Sequence, residues 1–559
     1  MAKQHSLPST GAGGWAAPSD DAARDRPRPA RASVGRSRSV SAPPPWLLAA
    51  GAVVAVVSLL PLAYLVARTS GNIDAATRAL WRPKTLQVVA NTAGLVAAVS
   101  GSAVALAVPL AWLTARTTLP GRRVWATVFT LPLVIPSFVV ALAFVAAMGP
   151  HGLLQHLLAP FGVSRLPSVY GFAGSWLVLT FATMPYAFLA LRAAFLGLDA
   201  SQEEAARSLG LTSRQAFRRV TLPHLRPAMA VGGLFAALYT LGDFGVVTLL
   251  RYDAFTRAIY TSYRASFDRT AAAGLALVLV LLAAGLLVGE GAVRGRVSLH
   301  RVGVGTARTA PPVPLGRWRA PALAFCAAVA TASLALPIAV LVYWCARSVT
   351  LEHASPHLFA AARTSLLLGG GAALAAALGA VPIAVLSVRH RSALTHLLER
   401  STYVTYALPG IVIAVAYVAI TVRTPWYQTF AVLVLACATR YLAQAVGATR
   451  LSLLQVNPRL EEAARGLGCS AAGATRRVTV PLVRPGLLAG VLLVFLATMK
   501  ELPITLLLIP TGGRTLPTLI WTAAGDARYG EAALPALLLV AVTAVPTFLL
   551  ARRQQAATS

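Results

Sequence analysis

"EEAARSLGLTSRQAFRRVTLPHLRP" occupies Glu203–Pro227, and "EEAARGLGCSAAGATRRVTVPLVRP" occupies Glu461–Pro485. Fifteen of the twenty-five positions are identical, and the copies lie 258 residues apart. Each is an arginine-rich polar island between apolar stretches. A second copy at a fixed offset implies a repeated architecture, so these residues set the reading of the whole chain.

Each island reads as a short helix, a glycine turn and another helix. In the first, Ser201 and Glu204 stand at capping-box spacing, and Ala205, Ala206 and Leu209 fall on one face at helical spacing. Gly210 is a natural stop. Thr212 and Gln215 form a second capping box, and the following helix carries Arg214, Arg218 and Arg219 toward Pro223, with Pro227 opening the next apolar run. In the second island Asn457 can cap, Pro458 suits the first helical position, Gly468 stops the helix, and Ser470 can cap the next. Different capping residues at matching places indicate that the shape itself is needed in both copies. Exposed alanines on these helices permit close approach by a partner. The competing reading is that the basic helices lie on anionic lipid headgroups.

Beyond the islands the chain is oily. Of 559 residues, 57% are hydrophobic and 12% charged, and mean hydropathy is +0.68, which excludes an ordinary soluble protein. Twelve runs are long enough to span a bilayer: 46–67, 87–114, 124–148, 169–195, 227–250, 270–290, 320–345, 364–387, 402–421, 427–449, 485–509 and 532–551. The net charge of +31 sits in short loops between these runs, so nucleic acid is not the expected partner. Residues 1–45, rich in Arg, Pro, Ser and Gly, read as a disordered basic tail. The run 46–67 exceeds a signal-peptide core and reads as the first span.

With the tail inside, the basic segments 115–123, 291–319 and 388–401 and both islands fall on the cytoplasmic face, as the positive-inside rule requires. Loops 68–86 and 251–269 are the basic exceptions. The second also carries Asp253 and Asp268, which points to ordered structure there. The repeat extends outward: "NTAGLVAAVSGSAVALAVPLAWLTAR" (91–116) parallels "RTSLLLGGGAALAAALGAVPIAVLSVR" (363–389), and "LPLVIPSFVVALAF" parallels "TYALPGIVIAVAYV". The second half lacks most of 151–171. Six spans per half give two repeats of the same orientation: 46–292 with its island at 201–227, and 320–553 with its island at 457–485, joined by a polar linker at 293–319. The expected fold is therefore an all-α integral membrane protein of twelve helices in two parallel six-helix repeats.

No catalytic or metal constellation emerges. Cys326, Cys345, Cys437 and Cys469 have no metal-ligand spacing and read as small core residues. His151 and His156 sit in an external loop and read as solvated. The three lysines, Lys3, Lys84 and Lys500, never follow a glycine, so the GxxxxGK[ST] phosphate loop is absent. Two acidic residues fall within spans at the repeat offset, Asp243 and Glu501. Charges there are costly, about 2.5–3.5 kcal/mol on insertion scales. They either pair within the bundle or line a polar path along the pseudo-axis. Lys500 adjoins Glu501, but neighbouring helical residues do not face each other.

Both islands resemble the EAA loop of ABC-importer permeases: Glu-Ala-Ala, three residues, Gly, nine residues, aliphatic, one residue, aliphatic, Pro. The first copy reads Glu204-Ala205-Ala206, Gly210, Val220, Leu222, Pro223, and the second Glu462-Ala463-Ala464, Gly468, Val478, Val480, Pro481. The resemblance implies the type I (MetI-like) importer permease fold. It also implies a coupling role for Glu203, Glu204, Ala205, Ala206 and Gly210, and for Glu461, Glu462, Ala463, Ala464 and Gly468. The implied partners are two copies of a cytoplasmic ATPase that binds the ATP, an external substrate-binding protein and membrane lipid. The implied location is the bacterial plasma membrane with both termini cytoplasmic, and no cofactor is expected in the chain itself. "LGDFG…AFTRAIYTSY" (241–263) and "KELPITLLLIP…TLPTLIWTAA" (500–524) are similar to the fused twelve-span permeases of iron(III) uptake. Thiamine, phosphonate, polyamine and sulfate permeases share parts of this plan. A 6+6 secondary transporter is the alternative of another class; it predicts more charges within spans and no docking loops.

Overall fold

The computed structural model describes residues 43–556, apart from 72–73, 75–76, 79–80, 150–151, 163–166, 265–268, 295–311 and 349–350. The expected tail lies outside the described residues up to 42, as do His151, Asp268 and most of the linker.

The first half runs α1 (Pro45–Ser70), α2 (Pro83–Arg116), α3 (Arg122–Val128), α4 (Ser137–Met148), α5 (Phe172–Gly197), α6 (Ala200–Ser208), α7 (Ser213–Gly242), α8 (Gly245–Leu249), α9 (Phe255–Arg264) and α10 (Arg269–Arg294). The second half runs α11 (Gly316–Arg347), α12 (Leu351–Arg389), α13 (Ala393–Tyr406), α14 (Gly410–Thr421), α15 (Phe430–Gln455), α16 (Pro458–Gly466), α17 (Thr475–Met499), α18 (Pro503–Leu508), α19 (Leu516–Gly525) and α20 (Tyr529–Ala556). Each numbered helix of the first half thus has its counterpart ten labels later in the same order; the short helix Leu153–Leu158, in the stretch that the second half lacks, has none.

Among the described residues ten helices are long and apolar enough to cross a membrane, and the bent pair α13–α14 makes an eleventh. The remaining predicted span, 270–290, falls on α10, whose apolar stretch Ala271–Leu286 is shorter. Many large apolar side chains on the outer helices face outward, among them Val53, Val56, Leu281, Leu374, Leu378 and Val545. That surface suits lipid and would aggregate in water.

Four predicted spans are not single helices. Pro136 and Pro409 stand immediately before α4 and α14. A proline has no N–H to continue a helix and disfavours helical backbone at the residue before it. The chain therefore breaks, and α13 and α14 meet at 105°. In the first half the break also contains the 3-10 turn Leu131–Val134. The predicted spans at 227–250 and 485–509 break too, between α7 and α8 and between α17 and α18.

Every residue of α4 from Ser137 to Ala147 is buried, as is every residue of α14 from Gly410 to Val418. Helices apolar on all sides must be surrounded on all sides. The halves achieve this by exchange. α1 packs against α10 of its own half and against α12, α13 and α14 of the other. Reciprocally, α11 packs against α20 and against α4 and α5. Hydrogen bonds cross the same seam from Thr405 Oγ1 to the Ser58 carbonyl (2.7 Å), from Thr543 Oγ1 to the Val134 carbonyl (3.2 Å) and from Lys500 Nζ to the Leu133 carbonyl (2.9 Å).

Small residues bring α5 against α7 and α15 against α17. A Cβ on Gly232 would stand 2.6 Å from Ala187 Cα, and one on Gly490 would stand 3.0 Å from Ala445 Cα. Both pairs keep the 258-residue offset, and backbone atoms cannot yield as a flexible side chain could.

Candidate functional site

Both islands form the predicted short helix and glycine turn, with two corrections, one to the cap and one to the facing of the alanines. α6 is capped by Asp199, whose carboxylate accepts from Ser201 N at 3.0 Å, and not by a Ser201–Glu204 box. Asn457 does the same for Arg459 N at 3.0 Å. The two caps are therefore equivalent Asx residues at the 258 offset. The capping box of Thr212 with Gln215 is present, and Ser470 Oγ accepts from Gly473 N at 3.1 Å.

Gly210 and Gly468 both adopt φ +88°. Leu211 N reaches the Ala206 carbonyl (3.2 Å) and Gly210 N the Arg207 carbonyl (3.0 Å). In the other copy Cys469 N reaches Ala464 (3.1 Å) and Gly468 N reaches Arg465 (3.0 Å). This pairing of the last free carbonyls is the Schellman arrangement, and it requires left-handed backbone at the glycine.

The second helix of each island is not separate from the span. A π-helical turn, Phe217–Thr221 in one copy and Thr475–Thr479 in the other, leads without a break into the rest of α7 and α17. Pro223 and Pro481 follow at once, each lacking the N–H that an α-turn would use, and a widened turn accommodates them. Any displacement of the island is therefore delivered directly to a membrane helix.

The Glu-Ala-Ala residues divide between two faces. Glu203 turns inward: Arg116 Nη2, at the end of α2, donates to its carboxylate at 2.9 Å. Arg389 Nη2, at the end of α12, does the same for Glu461 at 3.0 Å, and Thr479 adds a further hydrogen bond. Ala206 is buried and Ala464 half-buried. Glu204, Ala205, Glu462 and Ala463 are exposed, and Leu209 and Leu467 are 86% and 87% exposed. The three apolar residues grouped on one face by spacing are thus split, with Ala206 inward and Ala205 and Leu209 outward. The linker is attached close by, with Val313 N donating to the Arg116 carbonyl (2.8 Å) and Thr118 N to the Val313 carbonyl (3.0 Å).

Asp243 and Glu501 stand at the matching helix breaks, both buried. Asp243 Oδ1 accepts from Val246 N at 2.8 Å and so caps α8. Its other oxygen accepts from Ser137 Oγ at 2.5 Å, and the Thr256 hydroxyl donates to its main-chain carbonyl at 2.6 Å. Glu501 Oε1 accepts from Ile504 N at 3.2 Å, capping α18. Its second oxygen meets Arg440 Nε at 3.3 Å and the Tyr441 hydroxyl. Lys500 points instead across the seam to Leu133.

Arg440 is not among the sequence candidates. One arginine in an apolar run has no motif around it, although its place within a span was itself a signal. The repeat explains its partner. Ser137 of α4 corresponds to Gly410 of α14, both following the break-point proline. A Cβ on Gly410 would stand 2.5 Å from Arg440 Nη1 and 2.6 Å from Glu501 Oε1. The first half holds a short carboxylate with a serine hydroxyl. The second removes that side chain, lengthens the acid and supplies a guanidinium.

Among the described residues no three His, Cys, Asp or Glu side chains gather as a metal site, and all four cysteines are free. In loop 251–269, α9 supplies the expected structure, with Asp253 and Arg257 paired at 2.6 Å.

Comparison with known proteins adds the following. Residues 107–292 and again 369–557 match the family described as "Binding-protein-dependent transport system inner membrane component". The chain is 32% identical over 515 residues to the Fe(3+)-transport system permease protein FbpB 2 of Haemophilus influenzae, covering 91% of this chain and 98% of that protein. It is 34% identical over 221 residues to the molybdenum transport system permease protein ModB of Escherichia coli, which aligns over 93% of its own length with 37% of this chain. A solved bacterial alginate ABC transporter in complex with a periplasmic protein aligns with 45% of the chain at TM-score 0.38 and 18% identity. This is a multi-pass inner-membrane protein and a transport subunit rather than an enzyme; ATP hydrolysis falls to partner subunits. With both halves matched, the chain belongs to the family of binding-protein-dependent transport system inner membrane components, the permeases of ABC importers.

Proposed function

We propose that the cargo is ferric iron, delivered by an external binding protein and moved by two ATPase subunits, one seated on each island. The observation that carries the iron assignment is the end-to-end likeness to the Haemophilus influenzae Fe(3+) permease, at 91% of this chain and 98% of that one. The likeness to the molybdenum permease covers only 37% of the chain, so it bears on the common half-repeat more than on cargo.

Each ATPase would meet the outward face of α6 or α16, where Glu204, Ala205 and Leu209, or Glu462, Ala463 and Leu467, are exposed. The inward Glu203 and Glu461 hold those helices to the ends of α2 and α12. With the islands facing the ATPases, both termini are cytoplasmic. Asp243 and Glu501 act on the translocation path by fixing the helix breaks beside the seam between halves. Their hydrogen bonds and, at Glu501, an ion pair support a pinning role over direct contact with cargo.

The test is uptake of radiolabelled ferric iron by cells that lack their own high-affinity ferric uptake and express this permease with its cognate ATPase and external binding protein. Ferric uptake that requires all three supports the assignment. Absence of iron uptake with ATP-dependent uptake of thiamine or molybdate overturns it.

A further inference from the structure

The linker between the halves ends in an element that the transport reading leaves unused. Its last residues read Pro312-Val313-Pro314-Leu315-Gly316. A proline fixes its own backbone and confines the residue before it to extended conformations. Val313, between two prolines, is therefore stiff and extended, and it carries the one N–H of the three. That N–H donates to the Arg116 carbonyl at 2.8 Å, and the Val313 carbonyl accepts from Thr118 N at 3.0 Å, a parallel bridge across Thr117. Leu315 N then donates to Thr118 Oγ1 at 3.3 Å.

Leu315 anchors the segment. Its side chain is 8% exposed, in an apolar cluster with Leu113 and Leu119 at the turn after α2, Phe195 of α5 and Leu225 of α7. Phe195 and Leu225 flank the first island. Gly316, at φ +49°, turns the chain directly into α11, whose Ala322 and Cys326 belong to the same cluster.

The second half closes the same place differently. Arg389 and Pro409 follow Arg116 and Pro136 by 273 residues each, so His390 stands where Thr117 does and Thr395 where Arg122 does. There Thr395 Oγ1 donates to the His390 carbonyl at 2.7 Å, and Thr395 forms a capping box with Ser392. The first half has no such box, since α3 starts from Gly121 without a side-chain cap. Among the described residues no segment bridges the end of α12 as Val313 bridges the end of α2. Each half thus fixes the turn that follows its Arg–Glu tether, one with its own hydroxyls and the other with a strand from the linker.

We propose that residues 312–315 are a strap that positions the first ATPase socket. By holding the end of α2 they hold Arg116, and through it Glu203 and α6. Through Gly316 they also tie that socket to α11 of the second half. The second socket has no such dependence on the linker. The proposal rests on the reading of α6 and α16 as ATPase seats.

The test is hydrogen–deuterium exchange of the full chain in nanodiscs, comparing the wild type with T118V/V313P, T118S and T395V. Val313→Pro keeps an extended backbone and removes the N–H. Thr118→Val removes the acceptor for Leu315 N, and Thr118→Ser keeps it. The expected result is that T118V/V313P speeds exchange of the amides of Glu204–Leu211 by roughly fivefold, the effect of one net hydrogen bond, and leaves Glu462–Cys469 unchanged. T395V does the reverse, and T118S matches the wild type. Unchanged exchange at the first island in T118V/V313P overturns the proposal. So does equal acceleration at both islands, which makes the change a general loosening. ATPase retention, read by native mass spectrometry, tests the consequence. With the second seat removed by Ala463→Glu and Leu467→Asp, T118V/V313P weakens retention of the remaining ATPase. With the first seat removed by Ala205→Glu and Leu209→Asp, it does not. The same retention in both backgrounds overturns the positioning role. Two ATPases on a chain with both islands altered contradict the socket reading alone, and the exchange pattern still decides whether the strap holds α6.

Discussion

Arg116 and Glu203 meet at 2.9 Å, and Arg389 and Glu461 repeat the contact at 3.0 Å. Each pair joins the end of one long membrane helix to the first acidic residue of an island, while the island's far end runs unbroken into another. A short helix held at both ends moves the bundle when it is pushed. The first glutamate of each island is thus an internal tether, and the second is exposed on the outward face.

Replacing Glu203 with Gln leaves the nearly buried Arg116 guanidinium without its anion, at a cost of about 1–3 kcal/mol. The expected outcome is a chain that still binds ATPase but transports less per ATP hydrolysed. Reconstituted vesicles with both quantities measured together check this. The exchanged pair R116E/E203R recovers part of the coupling, because the charges again meet.

Gly210→Ala and Gly468→Ala each place a Cβ in left-handed backbone, which costs about 1–2 kcal/mol. The Schellman closure loosens and the helix axis shifts relative to α7 or α17. Each substitution reduces ATPase retention in a pull-down, and the pair together reduces it further. Asn at either position is milder, since Asn tolerates this conformation.

Gly410→Ser drives a Cβ into Arg440 and Glu501. Breaking a buried pair costs about 3–5 kcal/mol, so the variant accumulates poorly and unfolds at lower temperature. The opposite change in the first half, Ser137→Gly, removes one hydrogen bond to Asp243 and costs about 1–3 kcal/mol. Thermal unfolding of both variants in detergent gives the order, with Gly410→Ser the more damaged.

Asp243→Asn and Glu501→Gln each weaken a helix break without removing the side chain's bulk. Uptake falls while the chain still assembles with its partners. Glu501→Gln has the larger effect, because it leaves Arg440 within the span without a counter-charge. Uptake and size-exclusion profiles of the two variants decide between a pinning role and a purely architectural one.

Much of this was legible in the residues because repetition multiplies weak signals. One Glu-Ala-Ala-…-Gly segment is a common pattern, but two copies offset by 258 residues locate the halves, the turn glycines and the aligned acids together. Bends escaped, since hydropathy is blind to direction: 402–421 carries no charge yet turns by 105° near Pro409. Proline inside an apolar run was the available sign. Side-chain facing escaped as well. Helical spacing put Ala205 and Ala206 together, but tertiary packing buried only the second. Arg440 escaped because its role depends on a glycine thirty residues earlier, a compensation visible only when both halves are laid over each other in space.

The central claim is that one chain carries two ATPase sockets, each formed by the outward face of one island. Native mass spectrometry of the permease with its ATPase tests it most directly, using Ala205→Glu with Leu209→Asp, Ala463→Glu with Leu467→Asp, and all four changes together. The account predicts two bound ATPases for the wild type, one for either altered island and none when both are altered. Two ATPases retained on the chain with both islands altered would contradict it.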